Sequence, residues 1–228
     1  MNFIEERIIE YCVANSSFKN ELLDELERET YLKTLAPQMI SSKIQGQFLH
    51  FMIQLLKPTK VLEIGTFTGY SAFCMALALQ DKAQLISIES NPEYAYIFQK
   101  YKNLLKLDNI DHRIGNALEI IPTLSDDIDF IFMDGSKKEY PQYYDLLLPK
   151  LSTHGVMLVD NVLWYGKVLE SNVPSKQVER KSKWAIHPPQ GPSVEEVLRN
   201  FNLKLKEDEK TNNFLLPIRD GIHCIIKK

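Results

Sequence analysis

Three oxygen-bearing side chains follow two apolar segments of this 228-residue sequence. Asp134 comes directly after the apolar run 130–133, and Asp160 and Asn161 come directly after the run 156–159. If both runs are neighbouring strands of a parallel sheet, their carboxyl ends meet at one edge and bring the three side chains together. Each residue alone reads as an ordinary capping or turn residue, but two carboxylates and an amide oxygen together suit Mg²⁺ or a similar hard cation. We therefore expect a divalent-cation site here.

Lys137 lies three residues after Asp134 and is close enough in sequence to share this site. Near a metal and partly withdrawn from water, its side-chain pKa is expected to fall, which would make a neutral amine available as a general base. A solvated loop lysine is the alternative interpretation, and the residues alone do not separate the two.

A glycine-bearing turn suggests a second kind of chemistry. The apolar run 61–64 leads into Gly65 and Gly69, and a helical pattern begins at once. Glycine lets a ligand approach the backbone closely, and doubly wound folds bind nucleotides at such turns. The next apolar run ends in Glu89, whose carboxylate can accept both hydroxyls of a ribose. A ligand-free turn and a capping role for Glu89 stay open, and the pair alone does not distinguish NAD from S-adenosylmethionine.

The elements that must position these residues follow from the alternation of apolar and helical patterns. Short apolar runs recur at 61–64, 85–88, 110–114, 128–133 and 156–159, with helical patterns between them. Such repeats predict an α/β fold with a doubly wound, mostly parallel sheet. Two last runs, 214–218 and 222–226, flank an Asp-Gly turn and predict an antiparallel hairpin that completes a seven-stranded sheet. Residues 1–56 show helical spacing, so N-terminal helices should precede the sheet.

Composition narrows the class of protein. A chain of this length with 44% hydrophobic and 25% charged residues fits one folded domain and excludes a disordered or fibrous chain. The net charge of -3 provides no global basic field for nucleic acid. Three scattered cysteines, no leader-like N-terminus and no membrane-length apolar run predict a cytoplasmic protein without a membrane partner. The absence of nucleophile-elbow and phosphate-loop motifs disfavours hydrolases and NTPases.

Five segments in this order resemble those of the cation-dependent S-adenosylmethionine O-methyltransferases of the catechol and caffeoyl-CoA type. They read VLEIGTFTGYSAFCMA, GNALEIIP, DFIFMDGSKKEYPQYYD, VMLVDNVLWYGKV and LLPIRDGIHCIIKK, and the acidic strand end Glu89 lies between the first two. The resemblance runs from about Ser41 to the C-terminus. It implies a Rossmann-like class I methyltransferase in a single domain, with a helical lid at 1–56, an α/β core at 57–228 and an acceptor loop at 169–192. It also implies a homodimer.

The resemblance implies roles for individual residues as well. Asp134, Asp160 and Asn161 would bind the cation, which is expected to be Mg²⁺ with Ca²⁺ or Mn²⁺ as alternatives. Lys137 and Asp134 would be the catalytic residues. The residues expected around S-adenosylmethionine are Met39, Glu63, Gly65, Tyr70, Ser71, Glu89, Asn116, Ala117 and Asp134. Within this set Glu89 would hold the ribose.

The expected reaction is a metal-assisted transfer of a methyl group to a hydroxyl of a catechol-like or phenolic small molecule. Two features depart from the family pattern. Asn116 stands where many bacterial relatives have aspartate, and the loop at 169–192 is longer than usual and carries four basic residues between 176 and 183. The acceptor is therefore the part of the reaction that the resemblance determines least.

Two alternative functions remain at this point, whereas a third, a non-catalytic binding module, is disfavoured because every catalytic-type position is occupied. The basic residues of the loop motivate a tRNA partner, methylated at a 5-hydroxyuridine. A more distant alternative is an NAD-dependent oxidoreductase, which would use the glycine turn and the ribose-binding acid but leaves the three oxygen donors and the final hairpin unexplained.

Overall fold

In the computed structural model, which describes residues 5–169 and 191–228, the described chain forms one seven-stranded sheet. Its strands are β1 (Lys60–Ile64), β2 (Gln84–Glu89), β3 (Ile110–Ile114), β4 (Ile128–Met133), β5 (Leu151–Asp160), β6 (Thr211–Leu216) and β7 (Ile222–Lys227). They lie in the order β3-β2-β1-β4-β5-β7-β6; the first five are parallel, and β7 is antiparallel to β5 and β6. The predicted fold class, a mostly parallel sheet ending in an antiparallel hairpin, is confirmed.

Helices precede the sheet and connect its strands. They are α1 (Glu6–Ala14), α2 (Glu21–Lys33), α3 (Lys43–Leu56), α4 (Tyr70–Ala76), α5 (Ala95–Leu104), α6 (Ala117–Ile120), α7 (Tyr140–Lys150) and α8 (Val194–Glu207). Side-chain caps explain where several begin: Asn20, Ser42 and Ser193 each accept a hydrogen bond from an amide of the first turn. Within the described ranges, no helix has the length and apolar character needed to cross a membrane.

Several strand boundaries differ from the sequence expectation, and the differences are largest at β5 and β6. β5 begins at Leu151 rather than at 156, and its first part pairs Leu151 with Ile128 across an irregular register. β6 ends at Leu216 rather than at 218, because Pro217 has no amide hydrogen to donate to a neighbouring strand. Neither difference moves the strand ends that carry the candidate site.

The central strands of the sheet are buried on both faces, since their successive residues point to opposite sides and helices cover each side. In β4, Phe130 and Phe132 pack in a core with α2, α3, α4 and α5, whereas Ile131 and Met133 pack in a second core with α7 and α8. Apolar helices therefore cover both faces and leave the carboxyl edge of the sheet as the place where polar side chains gather.

The N-terminal helices α2 and α3 are built into the first core. Leu26 of α2 and Ile53 of α3 are almost completely buried. Glu29 of α2 accepts hydrogen bonds from Lys100 Nζ at 2.5 Å and from Tyr101 Oη at 2.8 Å, both on α5. These contacts attach α2 to the α/β core.

Candidate active site

A cavity of about 800 Å³ opens at the carboxyl edge of the sheet, where β1, β2, β4 and β5 end. The register explains why, since Ile64 pairs with Ile88 and Met133, and Met133 pairs with Val159. The residues that follow these strands therefore emerge side by side. The wall contains most of the residues predicted from the sequence, namely Met39, Gly65, Ser71, Glu89, Asn116, Ala117, Asp134, Lys137, Asp160 and Asn161.

The two glycines of the turn after β1 serve different purposes. Gly65 lies in the cavity wall at φ +94°, and a Cβ atom there would overlap the backbone carbonyl of Asp134. Gly69, at φ +100°, is not among the described wall residues, and a Cβ atom there would meet the rings of Phe73 and Phe98. Gly65 thus lets the ends of β1 and β4 approach closely beside the cavity, whereas Gly69 lets the chain pack onto the core.

Glu63 and Tyr70, which were expected beside the cofactor, lie behind the wall instead. Glu63 is completely buried in β1, where its carboxylate accepts hydrogen bonds from Ser71 Oγ at 2.5 Å and from Ser87 Oγ. Burial raises the pKa of this carboxyl to about 7. Tyr70 is buried with its ring against Gly46 of α3. Both side chains point into the helix layer, so of this group Ser71 reaches the cavity.

Glu89, the last residue of β2, is held at the cavity by backbone hydrogen bonds. Its Oε2 accepts from the amide of Phe67 at 2.7 Å, and its Oε1 accepts from the amide of Asn91 at 2.8 Å. Nearby, Asn116 caps α6 by accepting from the amide of Leu118 at 3.0 Å. Because a carboxylate oxygen can accept more than one hydrogen bond, Glu89 keeps the capacity to accept from two ligand hydroxyls.

Asp134 and Lys137 form an ion pair in the cavity wall. Lys137 Nζ lies 2.5 Å from Asp134 Oδ1, and the two side chains are 16% and 15% exposed. Burial alone would lower the lysine pKa, but the Asp134 carboxylate at contact distance outweighs it, and the pKa of Lys137 is raised. The lowered pKa was expected for Lys137 beside a bound cation, whereas the contact with Asp134 alone favours the ammonium form.

Asp160, the last residue of β5, is only 1% exposed. Its Oδ1 atom is buried and has no hydrogen-bond partner among the described residues. Burial, reinforced by the neighbouring Asp134 carboxylate, raises the pKa of Asp160 above its ordinary value. A buried carboxylate oxygen without a partner is unfavourable unless a cation or a proton satisfies it. This atom therefore fits the cation that the sequence predicts.

Asn161 completes the predicted donor set. It follows Asp160 at φ +59°, in the left-handed region, and lines the cavity. The described residues contain no group of three His, Cys, Asp or Glu side chains placed for a metal. The predicted set has only two carboxylates and an amide oxygen, which is a suitable donor set for a hard cation whose remaining positions are filled by water.

Some wall residues were not indicated by the sequence. Arg219, in the turn between β6 and β7, lines the cavity, and its Nη1 donates to Gln45 Oε1 at 2.6 Å. Gln45 is fully buried near the start of α3. Its side chain partly offsets the rise in the pKa of Asp160 that burial causes. Its Nε2 atom has no hydrogen-bond partner among the described residues. Trp164 and Tyr165 also line the cavity. The Asp-Gly signal indicated a hairpin, but no pattern in the sequence connects positions 45 and 219.

The expected acceptor loop at 169–192 lies almost entirely outside the described residues, which include only Leu169, Gly191 and Pro192 of it. The basic residues between 176 and 183, which motivated the tRNA alternative, lie outside them as well. The described part of the cavity wall therefore contains the candidate cofactor and cation residues but not the basic residues of this loop.

Comparison with known proteins relates the fold and the site to one family. A family model described as O-methyltransferase matches residues 13–228. Caffeoyl-CoA O-methyltransferase 1 of Eucalyptus globulus is 32% identical over 196 residues, which cover 81% of this chain and 73% of that protein. A catechol O-methyltransferase of Niastella koreensis is 36% identical over 149 residues, which cover 63% of this chain and 67% of that protein. The crystal structure of the SAH-bound methyltransferase PaMTH1 of Podospora anserina covers 100% of this chain and 98% of its own, with a TM-score of 0.84 and 26% identity.

Proposed function

This chain belongs to the O-methyltransferase family and is an S-adenosylmethionine-dependent O-methyltransferase, and we propose that it methylates a hydroxyl of a catechol-like or phenolic small molecule with the help of a divalent cation. One observation carries the proposal: Asp134, Lys137, Asp160 and Asn161 line the same cavity as the ribose-binding candidate Glu89. A cofactor and a metal-bound acceptor would therefore lie side by side. The names of the caffeoyl-CoA and catechol O-methyltransferase relatives support this class of acceptor.

The cofactor would lie along the carboxyl ends of β1, β2 and β3. Glu89 would accept the ribose hydroxyls, and Met39, which is 58% exposed at the cavity, would cover the bound molecule. Glu63 would act from behind the wall by holding Ser71 in place through their hydrogen bond. The full set of wall residues proposed to contact the cofactor is Met39, Gly65, Ser71, Glu89, Asn116, Ala117 and Asp134.

Asp134, Asp160 and Asn161 would hold the cation, with Mg²⁺ expected and Ca²⁺ or Mn²⁺ as alternatives. The buried and unpaired Oδ1 of Asp160 supports this assignment. When bound, a divalent cation would lower the pKa of the acceptor hydroxyl and fix the position of its oxygen.

Lys137 would accept the proton of the acceptor hydroxyl, since its amine lies in the wall beside Asp134. Only a neutral amine can do so, and the described ion pair favours the ammonium. The role of Lys137 as a base therefore requires that a cation bound by Asp134 takes over part of the neutralisation of this carboxylate. Because transfer from a sulfonium to an oxyanion neutralises charge, positioning of the two reactants by the chain should supply much of the rate.

Transfer of a labelled methyl group tests the proposed function. Purified protein is incubated with methyl-labelled S-adenosylmethionine and catechol, caffeoyl-CoA, unmodified tRNA or tRNA containing 5-hydroxyuridine, with Mg²⁺ or with a chelator. We expect label on catechol or caffeoyl-CoA, and only with the cation present. Label on tRNA alone, or equal labelling of catechol in the chelator, would contradict the proposal.

We also propose that the chain works as a single catalytic domain and as a homodimer in the cytoplasm, with residues 1–56 as its lid and 169–192 as its acceptor loop. Phe51 and Leu55 of α3 are 59% and 62% exposed, and exposed apolar side chains of this kind support self-association. Light scattering of the purified protein should give twice the mass of the chain, and a monomer at micromolar concentration would contradict the dimer.

A further inference from the structure

Arg219 is held in the cavity wall by a turn whose backbone is tied to the segment after β5. Asp220, the next residue, accepts hydrogen bonds from the amide of Tyr165 through Oδ1 and from the amide of Leu163 through its backbone oxygen at 2.8 Å. Arg219 itself has φ +52°, a left-handed conformation that is unfavourable for a residue with a long side chain. Strain of this kind persists where the surrounding structure over-determines the backbone and is often found at functional sites.

The guanidinium of Arg219 has unused hydrogen-bonding capacity. Nη1 donates to the buried Gln45 side chain at 2.6 Å. No carboxylate of the described residues forms an ion pair with Arg219, whereas the other cation that the wall contributes to the catalytic end, Lys137, is paired with Asp134. An arginine offers five N–H donors in a planar fork that matches a carboxylate. Arg219 therefore has donors to offer to an anionic ligand.

Sheet order places Arg219 at the acceptor end of the cavity. Glu89 ends β2 and Asn116 follows β3, on one side of the central strand β1, whereas Arg219 follows β6, beyond β4 and β5. Arg219 is close enough to Asp160 for its charge to stabilise that carboxylate. Trp164, from the segment after β5, lines the same cavity. The guanidinium is thus near the proposed cation ligand Asp160, and it lies on the other side of β1 from Glu89 and Asn116.

We propose that Arg219 is a specificity-determining residue that binds a carboxylate carried by the acceptor, so that the preferred acceptor is an acidic catechol. This inference rests on the proposed function, because it assumes that the acceptor lies at the cation end of the cavity. Gln45 acts as a positioning residue, since its side-chain oxygen fixes one nitrogen of the guanidinium and leaves the others free for the ligand.

The test compares two acceptors that differ in charge, 3,4-dihydroxybenzoate and the neutral 3,4-dihydroxybenzamide. Arg219→Gly suits the positive φ and removes the guanidinium, and Arg219→Lys keeps a positive charge. We expect Arg219→Gly to raise KM for the benzoate roughly 10- to 100-fold more than KM for the benzamide, so that the preference for the charged acceptor is lost. Arg219→Lys should restore part of the preference. The exposed Arg28 of α2 provides the control, because Arg28→Gln makes a similar change in charge outside the described cavity wall.

Calorimetry of both catechols in the presence of Mg²⁺ and S-adenosylhomocysteine measures the same preference without turnover. Calorimetry decides the role of Arg219 even if no catechol is methylated. The absence of methylation would overturn the proposed function rather than this inference. Equal affinities of the wild-type protein for the two catechols, or no binding of the benzoate, overturn the inference. A weaker affinity of Arg219→Gly for S-adenosylhomocysteine with an unchanged acceptor preference also overturns it, because the guanidinium would then bind the cofactor.

Discussion

Asp160 and Asp145 are both aspartates of the α/β core, but Asp160 is buried at the cavity whereas Asp145 lies on the surface. Asp160 is 1% exposed and has an unpaired oxygen, whereas the side chain of Asp145 is 63% exposed and forms an ion pair with Lys204. Surface pairs contribute little free energy, because water solvates both charges well. A buried carboxylate with an unpaired oxygen, such as that of Asp160, makes folding less favourable, so its presence is better explained by cation binding than by stability.

Asp160→Asn should therefore reduce cation-dependent methyl transfer by roughly 100-fold or more, because the amide lacks the charge that attracts the cation. The same variant should lose the increase in melting temperature that Mg²⁺ gives to the wild-type protein. Asp145→Asn is the matched control and should keep both properties. Full turnover by Asp160→Asn in a chelator would remove the metal from the mechanism.

Two variants test whether Lys137 acts as a general base or only supplies a positive charge. Lys137→Ala should lower kcat by about 10²- to 10⁴-fold, the usual contribution of a positioned general base. Lys137→Arg keeps a positive charge beside Asp134 but cannot accept a proton near neutral pH, so it should also be impaired. The measurement is kcat against pH for the three proteins. A rate of Lys137→Ala equal to wild type at every pH would show that Lys137 is not the base.

Glu63 should make stability depend on pH. Its pKa is raised from 4.5 to about 7 in the folded protein, so the folded state binds this proton more tightly than the unfolded chain does. The free energy of unfolding therefore falls as pH rises from about 4.5 to about 7. Glu63→Gln removes the charge, and the wild-type protein should lose about 3 kcal/mol relative to this variant across that range. Urea unfolding at several pH values measures the difference, and parallel pH profiles of the two proteins would contradict the assignment.

At the scale of elements, the turn between β1 and α4 depends on both backbone conformation and space. Gly65 and Gly191 have nearly the same φ, +94° and +96°, but a Cβ atom would overlap the Asp134 carbonyl at Gly65, whereas at Gly191 it would meet no atom of the described residues within 4 Å. The pair therefore separates the cost of a left-handed backbone from the cost of steric overlap.

Gly191→Ala should lower the free energy of unfolding by roughly 1–2 kcal/mol, the cost of a left-handed conformation for a residue with a Cβ atom. Gly65→Ala should lower it by a further 1–3 kcal/mol or so, because the ends of β1 and β4 must move apart. Urea denaturation of both variants provides the comparison. Equal losses at the two positions would indicate that the strand ends tolerate a Cβ atom.

At the scale of the whole molecule, the cavity predicts which cofactor stabilises the fold. A ligand that binds only the folded protein adds about 2.7 kcal/mol to its stability at 100 times its dissociation constant. S-adenosylmethionine and S-adenosylhomocysteine should therefore raise the melting temperature, and NAD should not. A shift with NAD and none with S-adenosylmethionine would contradict the cofactor assignment.

The carboxyl edge of the sheet was the part of the site that could be predicted from the sequence. Apolar runs ending in Glu89, Asp134 and Asp160 marked where each strand stops, and parallel strands end at one edge by geometry. Local order along the chain thus placed these side chains near one another without any knowledge of packing. The resemblance added the family and the fold, both of which are confirmed.

The tertiary structure decided what depends on distant packing and on exclusion of water. It placed Glu63 and Tyr70 behind the wall, because their side chains pack against α4 and α3 rather than toward the cavity. It gave Lys137 a raised pKa, because a contact with Asp134 outweighs burial. It also brought Arg219 to Gln45, although the two residues lie far apart in the sequence. A sequence pattern reports periodicity and strand ends, which are local, whereas solvation and contacts between remote segments exist only once the chain has folded.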